Sequence, residues 1–208
     1  MKRVFVALMG TVLFTVATTG AVHASTLTFD DIGIGGSIPN GYGGLQWSPA
    51  AHYLAWSDNP AFFAGSGYAN GVVSGAYVAY NSDDQVISAF GPTFDFNSVY
   101  LTAAWNTGLN ITVTGQLGMT TLYSQTVVVN TTAPTLFAFN YLGIDRVTFS
   151  SFGGISDLFP QFGDEGNHFV IDNMTINETV TVPDAGSALA MFGLGMLGLG
   201  AVRRKFSV

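Results

Sequence analysis

The chain of 208 residues contains no cysteine, so disulfides, thiolate metal sites and thiol nucleophiles play no part in its chemistry. Basic side chains are almost as scarce. Lys2 and Arg3 stand at the start and Arg203, Arg204 and Lys205 at the end, leaving only Arg146 between Ser25 and Thr181. Twelve carboxylates, from Asp30 to Glu178, share that interval. Nucleic acid and anionic lipid are therefore electrostatically unfavourable partners, whereas divalent cations and neutral sugars are compatible ones. Without lysine, the interval also has no Schiff-base chemistry and no lysine-dependent phosphate site. Its two histidines, His52 and His168, lack His-Glu-x-x-His spacing, and no Gly-x-Ser-x-Gly elbow occurs. A single histidine in such strand-like sequence reads as a structural residue. Acids for glycoside hydrolysis are present, but nothing in the sequence sets two of them across a cleft. A catalytic role is not expected.

Long apolar runs are missing from the interior and present at both ends. Lys2 and Arg3 precede an apolar stretch from Val4 to Val16, and Val22-His23-Ala24 offers a cut that leaves Ser25 as the mature start. That is the pattern of a secretory signal peptide, read by the general secretion machinery and signal peptidase. Thr15, Thr18, Thr19 and Gly20 dilute the run too early for an anchor. At the other end, no charge occurs from Ala185 to Val202, a helical length of about 27 Å that just spans a bilayer core. Arg203, Arg204 and Lys205 follow directly and would hold that end in the cytoplasm. Three segments result: a signal peptide over 1–24, an extracytoplasmic body over 25–181, and a tail over 182–208. Within the tail, 182–187 is a polar turn, 185–202 the span and 203–208 the basic end.

A short polar motif, an apolar span and a terminal basic cluster, in that order, resemble the PEP-CTERM class of bacterial sorting signals. The nearest variant opens Val-Pro-Asp-Ser-Gly. Here the residues are Val182, Pro183, Asp184, Ala185 and Gly186, with Ala185 where that variant usually has serine. The resemblance implies that an exosortase-like membrane protease recognises Val182 to Gly186 and cuts nearby. It also implies a Gram-negative bacterium making extracellular polysaccharide, with the protein briefly anchored and then at the cell surface or in the matrix. A plain single-span anchor without processing is the alternative.

In the body, almost every ordered piece alternates with period two. Strands are expected over Leu27–Ile32, Tyr42–Trp47, His52–Trp56, Ala76–Tyr80, Gln85–Phe90, Ser98–Trp105, Leu109–Thr114, Thr121–Val129, Thr135–Asn140, Arg146–Ser150 and His168–Ile176. Asn81 to Asp84 reads as a hairpin turn, and Asn106-Thr107-Gly108 as the tight turn of the clearest hairpin. Ser57 to Gly75 is loop-like, and no stretch shows a capped 3.6-residue apolar period, so no long helix is expected. Short strands and glycine-rich turns predict an all-β, antiparallel two-sheet β-sandwich, a jelly roll. The opening Thr28-Phe29-Asp30-Asp31-Ile32 and the closing Phe169-Val170-Ile171-Asp172-Asn173-Met174 loosely resemble the terminal strands of jelly-roll carbohydrate-binding and galactose-binding-like domains. There the two ends lie side by side and a structural Ca²⁺ sits near them. By that resemblance Asp30, Asp31 and Asp172 are candidate calcium ligands; otherwise they face solvent or cap turns. A second acidic cluster, Asp157 with Asp164 and Glu165, lacks EF-hand spacing and reads as a solvated loop.

For a ligand, the candidates are aromatics on irregular segments: Trp47, Trp56, Phe62, Phe63, Tyr68 and Trp105. Sugar rings stack their C–H faces on such rings, while neighbouring Asp or Asn side chains take the hydroxyls. Trp56 with Asp58 and Asn59, together with Tyr68 and Trp105, form the expected platform; Trp56 and Tyr68 are placed at the surface because turn formers flank them. The same aromatics would otherwise fill the core. Three functions stand open: a non-catalytic structural or adhesive component of an extracellular polysaccharide matrix, a carbohydrate-binding module, and a polysaccharide-active hydrolase.

Overall fold

Two strands much longer than the rest decide the architecture. In the computed structural model, which describes residues 24–156 and 166–178, the strands in chain order are β1 (Ser25–Leu27), β2 (Gly36–Ser37), β3 (Gln46–Trp47), β4 (Ala51–Ala55), β5 (Tyr77–Asn81), β6 (Ile87–Ala103), β7 (Asn106–Thr107), β8 (Leu109–Leu117), β9 (Thr120–Val129), β10 (Thr135–Phe152), β11 (Ile155–Ser156) and β12 (Phe169–Ile176). Two single-turn helices, α1 (Pro60–Phe63) and α2 (Gly67–Asn70), interrupt them. Residues 1–23 of the expected signal peptide, the acidic stretch from Asp157 to Glu165 and the sorting tail lie outside the described residues. Among the described residues no helix is long and apolar enough to cross a membrane.

β6 and β10 pair antiparallel, from Thr135 opposite Leu101 to Phe149 opposite Ile87. The register slips three times between Ala138 and Arg146, where Asn140 and Gly143 take left-handed backbone at φ 50° and 66°. Such bulges bend and twist a strand pair, and here they divide the network into two layers. One layer runs β2–β4–β5–β12, then the second half of β6 and the first half of β10, with β1 also on β12. The other runs β3, the first half of β6, the second half of β10, β8 and β9. Between them the inward rings meet: Phe149 of the second layer stands at right angles to Phe96 at 5.9 Å and lies 6.2 Å from Phe169. Strand alternation supplies this core. In β8, Leu109, Ile111 and Val113 are buried while Asn110, Thr112 and Thr114 point the other way.

The antiparallel sandwich is the one the sequence predicts, and its first and last strands adjoin, with Leu27 opposite Met174. Three local expectations are corrected. The first strand stops at Leu27, because Phe29 turns into the core with φ 62°; Asp30 and Asp31 belong to the turn after it. Ser98–Trp105 and Leu109–Thr114 do not form a hairpin. Both flanks of that half of β6 are taken by β12 and β10, so β8 pairs with β9 and β10, and Asn106–Thr107 pairs instead with β11. Asn81 to Asp84 does turn, with Asp83 and Asp84 at φ 53° and 55°. It joins β5 to β6 across the intervening β12, not as a hairpin.

Candidate functional site

The outward face of the first layer does not stay bare. Val78 of β5 and Val170 of β12 are fully buried there, because the excursion between β4 and β5 folds back over them. Local sequence explains the fold-back. Pro60 starts α1 at a position that needs no backbone donor. The Ser66 hydroxyl accepts from Tyr68 N at 3.2 Å and donates to the Phe63 carbonyl at 2.7 Å, which caps α2. Gly67 N bonds the Ala104 carbonyl at 2.9 Å, and a Cβ at Gly67 would lie 1.9 Å from the Ala103 carbonyl oxygen. Only glycine lets this helix lie directly on β6.

The packing beneath is aromatic. Tyr68 sits with its ring 4.9 Å from Phe63, 5.3 Å from Trp105 and 5.4 Å from Tyr80. Trp105 stacks on Phe63 at 6.4 Å and meets the edge of Phe62 at 5.5 Å. Phe62 is 42% exposed and Trp105 half-buried, so the cluster ends in a ledge of rings open to solvent. Asp58 and Asn59, both exposed, immediately precede α1. Of the expected platform, Asp58 and Asn59 thus lie at the start of the short helix that carries Phe62, which meets Trp105. Trp56 occupies the same turn, Trp56–Asp58, and its side chain lies outside what is described. Tyr68 departs from expectation: at 3% exposure it is the buried centre of the cluster, not a surface ring. Turn formers flank it because α2 is one turn long, and that turn lies face-down on the sheet. Trp47 fills the main core beside Phe29 and Tyr42.

Under the ledge runs a polar chain that the sequence does not announce. The Tyr68 hydroxyl lies 3.1 Å from His168 Nδ1, and His168 Nε2 lies 2.9 Å from Asp84 Oδ1. Burial lowers the His168 pKa, opposed by the carboxylates of Asp84 and Asp83, while burial pushes the Tyr68 hydroxyl well above its ordinary value. A neutral imidazole between phenol and carboxylate fits both. The hydroxyl heading the chain is buried with its ring, so the arrangement braces α2 and the Asp83–Asp84 turn against β12. Tyr80 stacks on His168 at 6.5 Å and meets His52 edge-on at 5.7 Å. Sequence spacing could not have linked residues 84 positions apart.

The three calcium candidates have acquired other partners. Asp30 Oδ1 accepts from Ala76 N at 2.7 Å and Tyr77 N at 3.0 Å. Asp172 Oδ2 accepts from Val73 N at 2.6 Å and Ser74 N at 3.0 Å, and its Oδ1 from Asn173 N at 2.7 Å. Asp31 accepts from the Tyr42 hydroxyl at 2.9 Å, which itself accepts from Phe29 N. Two carboxylates thus clasp the backbone of residues 73–77, the return of the ledge-bearing excursion. Asp172 is fully buried. Burial pushes its pKa up to about 6 against the three amide donors, and Asp30 adds to the rise. Among the described residues no group of three or more His, Cys, Asp or Glu is placed to hold a metal ion.

Comparison with known proteins bears mainly on the tail. Residues 181–206 match the VPDSG-CTERM motif model, the sorting variant that the sequence resembles. The motif implies an exosortase-like partner and an address outside the cytoplasm. No curated protein matches the chain. Among solved structures, the body is similar to that of TmCBM61 in complex with beta-1,4-galactotriose. Identity is 10%, coverage 64% of this chain and 86% of that one, and the TM-score 0.34.

Proposed function

We propose that this protein is an exported, non-catalytic adhesive component of an extracellular polysaccharide matrix, and that it holds saccharide on the Phe62–Trp105 ledge. The observation that carries the ligand reading is the ledge itself. Two rings at 5.5 Å, one of them 42% exposed, continue a buried aromatic cluster, with Asp58 and Asn59 exposed next to α1. Rings fixed from beneath lose little entropy when a flat apolar sugar face covers them, and carboxylate and amide groups alongside take hydroxyl hydrogen bonds. A body with one base among twelve acids favours neutral glycans over anionic ones. The VPDSG-CTERM match over 181–206 supports delivery beyond the inner membrane by an exosortase-like system, with final residence at the cell surface or in the matrix.

A pull-down of the full chain on insoluble and soluble neutral polysaccharides tests the reading. Saturable binding should fall about fivefold or more in Trp105→Ala and Phe62→Ala, the loss expected for a stacking ring worth about 1 kcal/mol or more. The melting midpoint of Phe62→Ala should change little, because its ring is partly exposed. Binding that survives both substitutions would remove the ledge from the account.

A further inference from the structure

The sandwich leaves one long, regular strand edge unpaired. β9 ends the second layer, bonded to β8 on one side and to no strand on the other among the described residues. A bulge at Leu122 marks its start; from Tyr123 to Val129 it runs in unbroken register against Leu109–Gly115. Other edges are blunted. β2 and β3 are two residues long, and the first half of β10 is broken at Asn140. Open edges are normally guarded by charge, proline or distortion, since their free N–H and C=O groups template another strand. β9 reads Thr-Thr-Leu-Tyr-Ser-Gln-Thr-Val-Val-Val, with neither charge nor proline. The neutrality extends further: no residue between Asp95 and Asp145 carries a charge.

We propose that β9 is a self-association edge, pairing antiparallel with the β9 of a second copy to join two sandwiches in one continuous layer. The choice of a second copy rests on charge and on symmetry. Acids outnumber bases twelve to one over the body, so two copies repel through most approaches and least through this uncharged flank. An antiparallel edge is complementary to itself about a two-fold axis. With the axis at Gln125, Tyr123 faces Val127 of the second copy and Ser124 faces Thr126. Leu122 and Val128, exposed at 45% and 58%, come together at the two ends. Apolar thus meets apolar and hydroxyl meets hydroxyl. The nearest acid, Asp145, holds Gly118 N at the β8–β9 turn, where the axis keeps the two copies' carboxylates at opposite ends of the pair. This pairing does not depend on what the aromatic ledge binds.

The absence of cysteine gives a direct test with the full chain in mild detergent. Opposed side chains in an antiparallel pair have Cβ atoms about 4.5–5.5 Å apart, within reach of a short bis-maleimide. Sedimentation should show a concentration-dependent dimer. Gln125→Cys should cross-link to dimer, and Thr93→Cys, on an exposed part of β6 remote from the edge, should not. Gln125→Glu sets two carboxylates against each other at the axis and should weaken the dimer about tenfold or more with an unchanged melting midpoint. A chain that stays monomeric overturns the proposal. So does a dimer indifferent to Gln125→Glu that cross-links equally from Thr93→Cys. If Gln125→Glu lowers the melting midpoint, the cysteine pair still decides.

Discussion

Replacing Asp172 probes the hold that the sheet has on the ledge-bearing excursion. Its carboxylate is fully buried and takes three amides at 2.6, 3.0 and 2.7 Å. Hydrogen bonds to a charged acceptor contribute about 1.5–3 kcal/mol each, and an orphaned buried donor costs a comparable amount. Asp172→Ala should therefore cost about 3–5 kcal/mol, a large part of an ordinary domain's stability. Asp172→Asn keeps the shape but turns an amide donor toward one of those N–H groups, for a loss of about 1–3 kcal/mol at neutral pH. The pH dependence separates burial from hydrogen bonding. Burial raises the folded-state pKa from 3.8 to about 6, so between those values the folded chain keeps a proton that the unfolded chain releases. Stability from this group is complete below pH 4 and falls as pH rises to about 6, by about 3 kcal/mol. Asparagine has no such slope. The wild-type advantage over Asp172→Asn should accordingly be larger at pH 4 than at pH 7. Urea unfolding followed by tryptophan fluorescence across pH 4–7.5 measures it. Parallel pH profiles for the two chains would refute the buried carboxyl, and equal stability at every pH would refute the clamp.

Gly75 has φ 57°, and a Cβ there would lie 2.0 Å from Asp30 Oδ1. Gly75→Ala should cost about 2 kcal/mol or more in a thermal melt, and an unchanged midpoint would count against the Asp30 contact. EDTA should leave the melting midpoint where it is, because Asp172 spends both its oxygens, and Asp30 its Oδ1, on backbone amides; a drop restored by Ca²⁺ would return calcium to the site. Tyr68→Phe removes the hydroxyl at His168 Nδ1 and should cost about 1 kcal/mol by denaturant unfolding; no loss would deny the brace. Neutral replacement of Arg203, Arg204 and Lys205 should impair retention or processing, read by cell fractionation and by mass spectrometry of the mature C-terminus. Unchanged localisation and cleavage would refute the sorting role.

Those signals that sequence carries in full are the ones physics reads along the chain. The Val182 to Gly186 motif, the charge-free run after it and the three terminal bases are read in order along the chain without any tertiary partner, and that order is what the VPDSG-CTERM model matches. Period-two alternation likewise set the β class, because burial on one face of a strand is written in every second residue. Which strand lies beside which was not written there. Asn106-Thr107-Gly108 looked like a hairpin turn, yet pairing is settled by competition for edges, and β12, almost 70 residues later, takes the place that β8 would have had. Tyr68 misled for a related reason: its neighbours specify a turn, but only docking of that turn on Ala103 and Ala104 decides which side meets water. Likewise, Asp30 and Asp172 were legible as a pair only through the meeting of the chain's two ends. Their chemistry was decided by the amides of residues 73–77, which the fold brings between them. Local periodicity and charge are properties of neighbours in the chain; edge occupancy, docking and ligation depend on residues brought together from far apart, and those contacts exist only in the folded molecule.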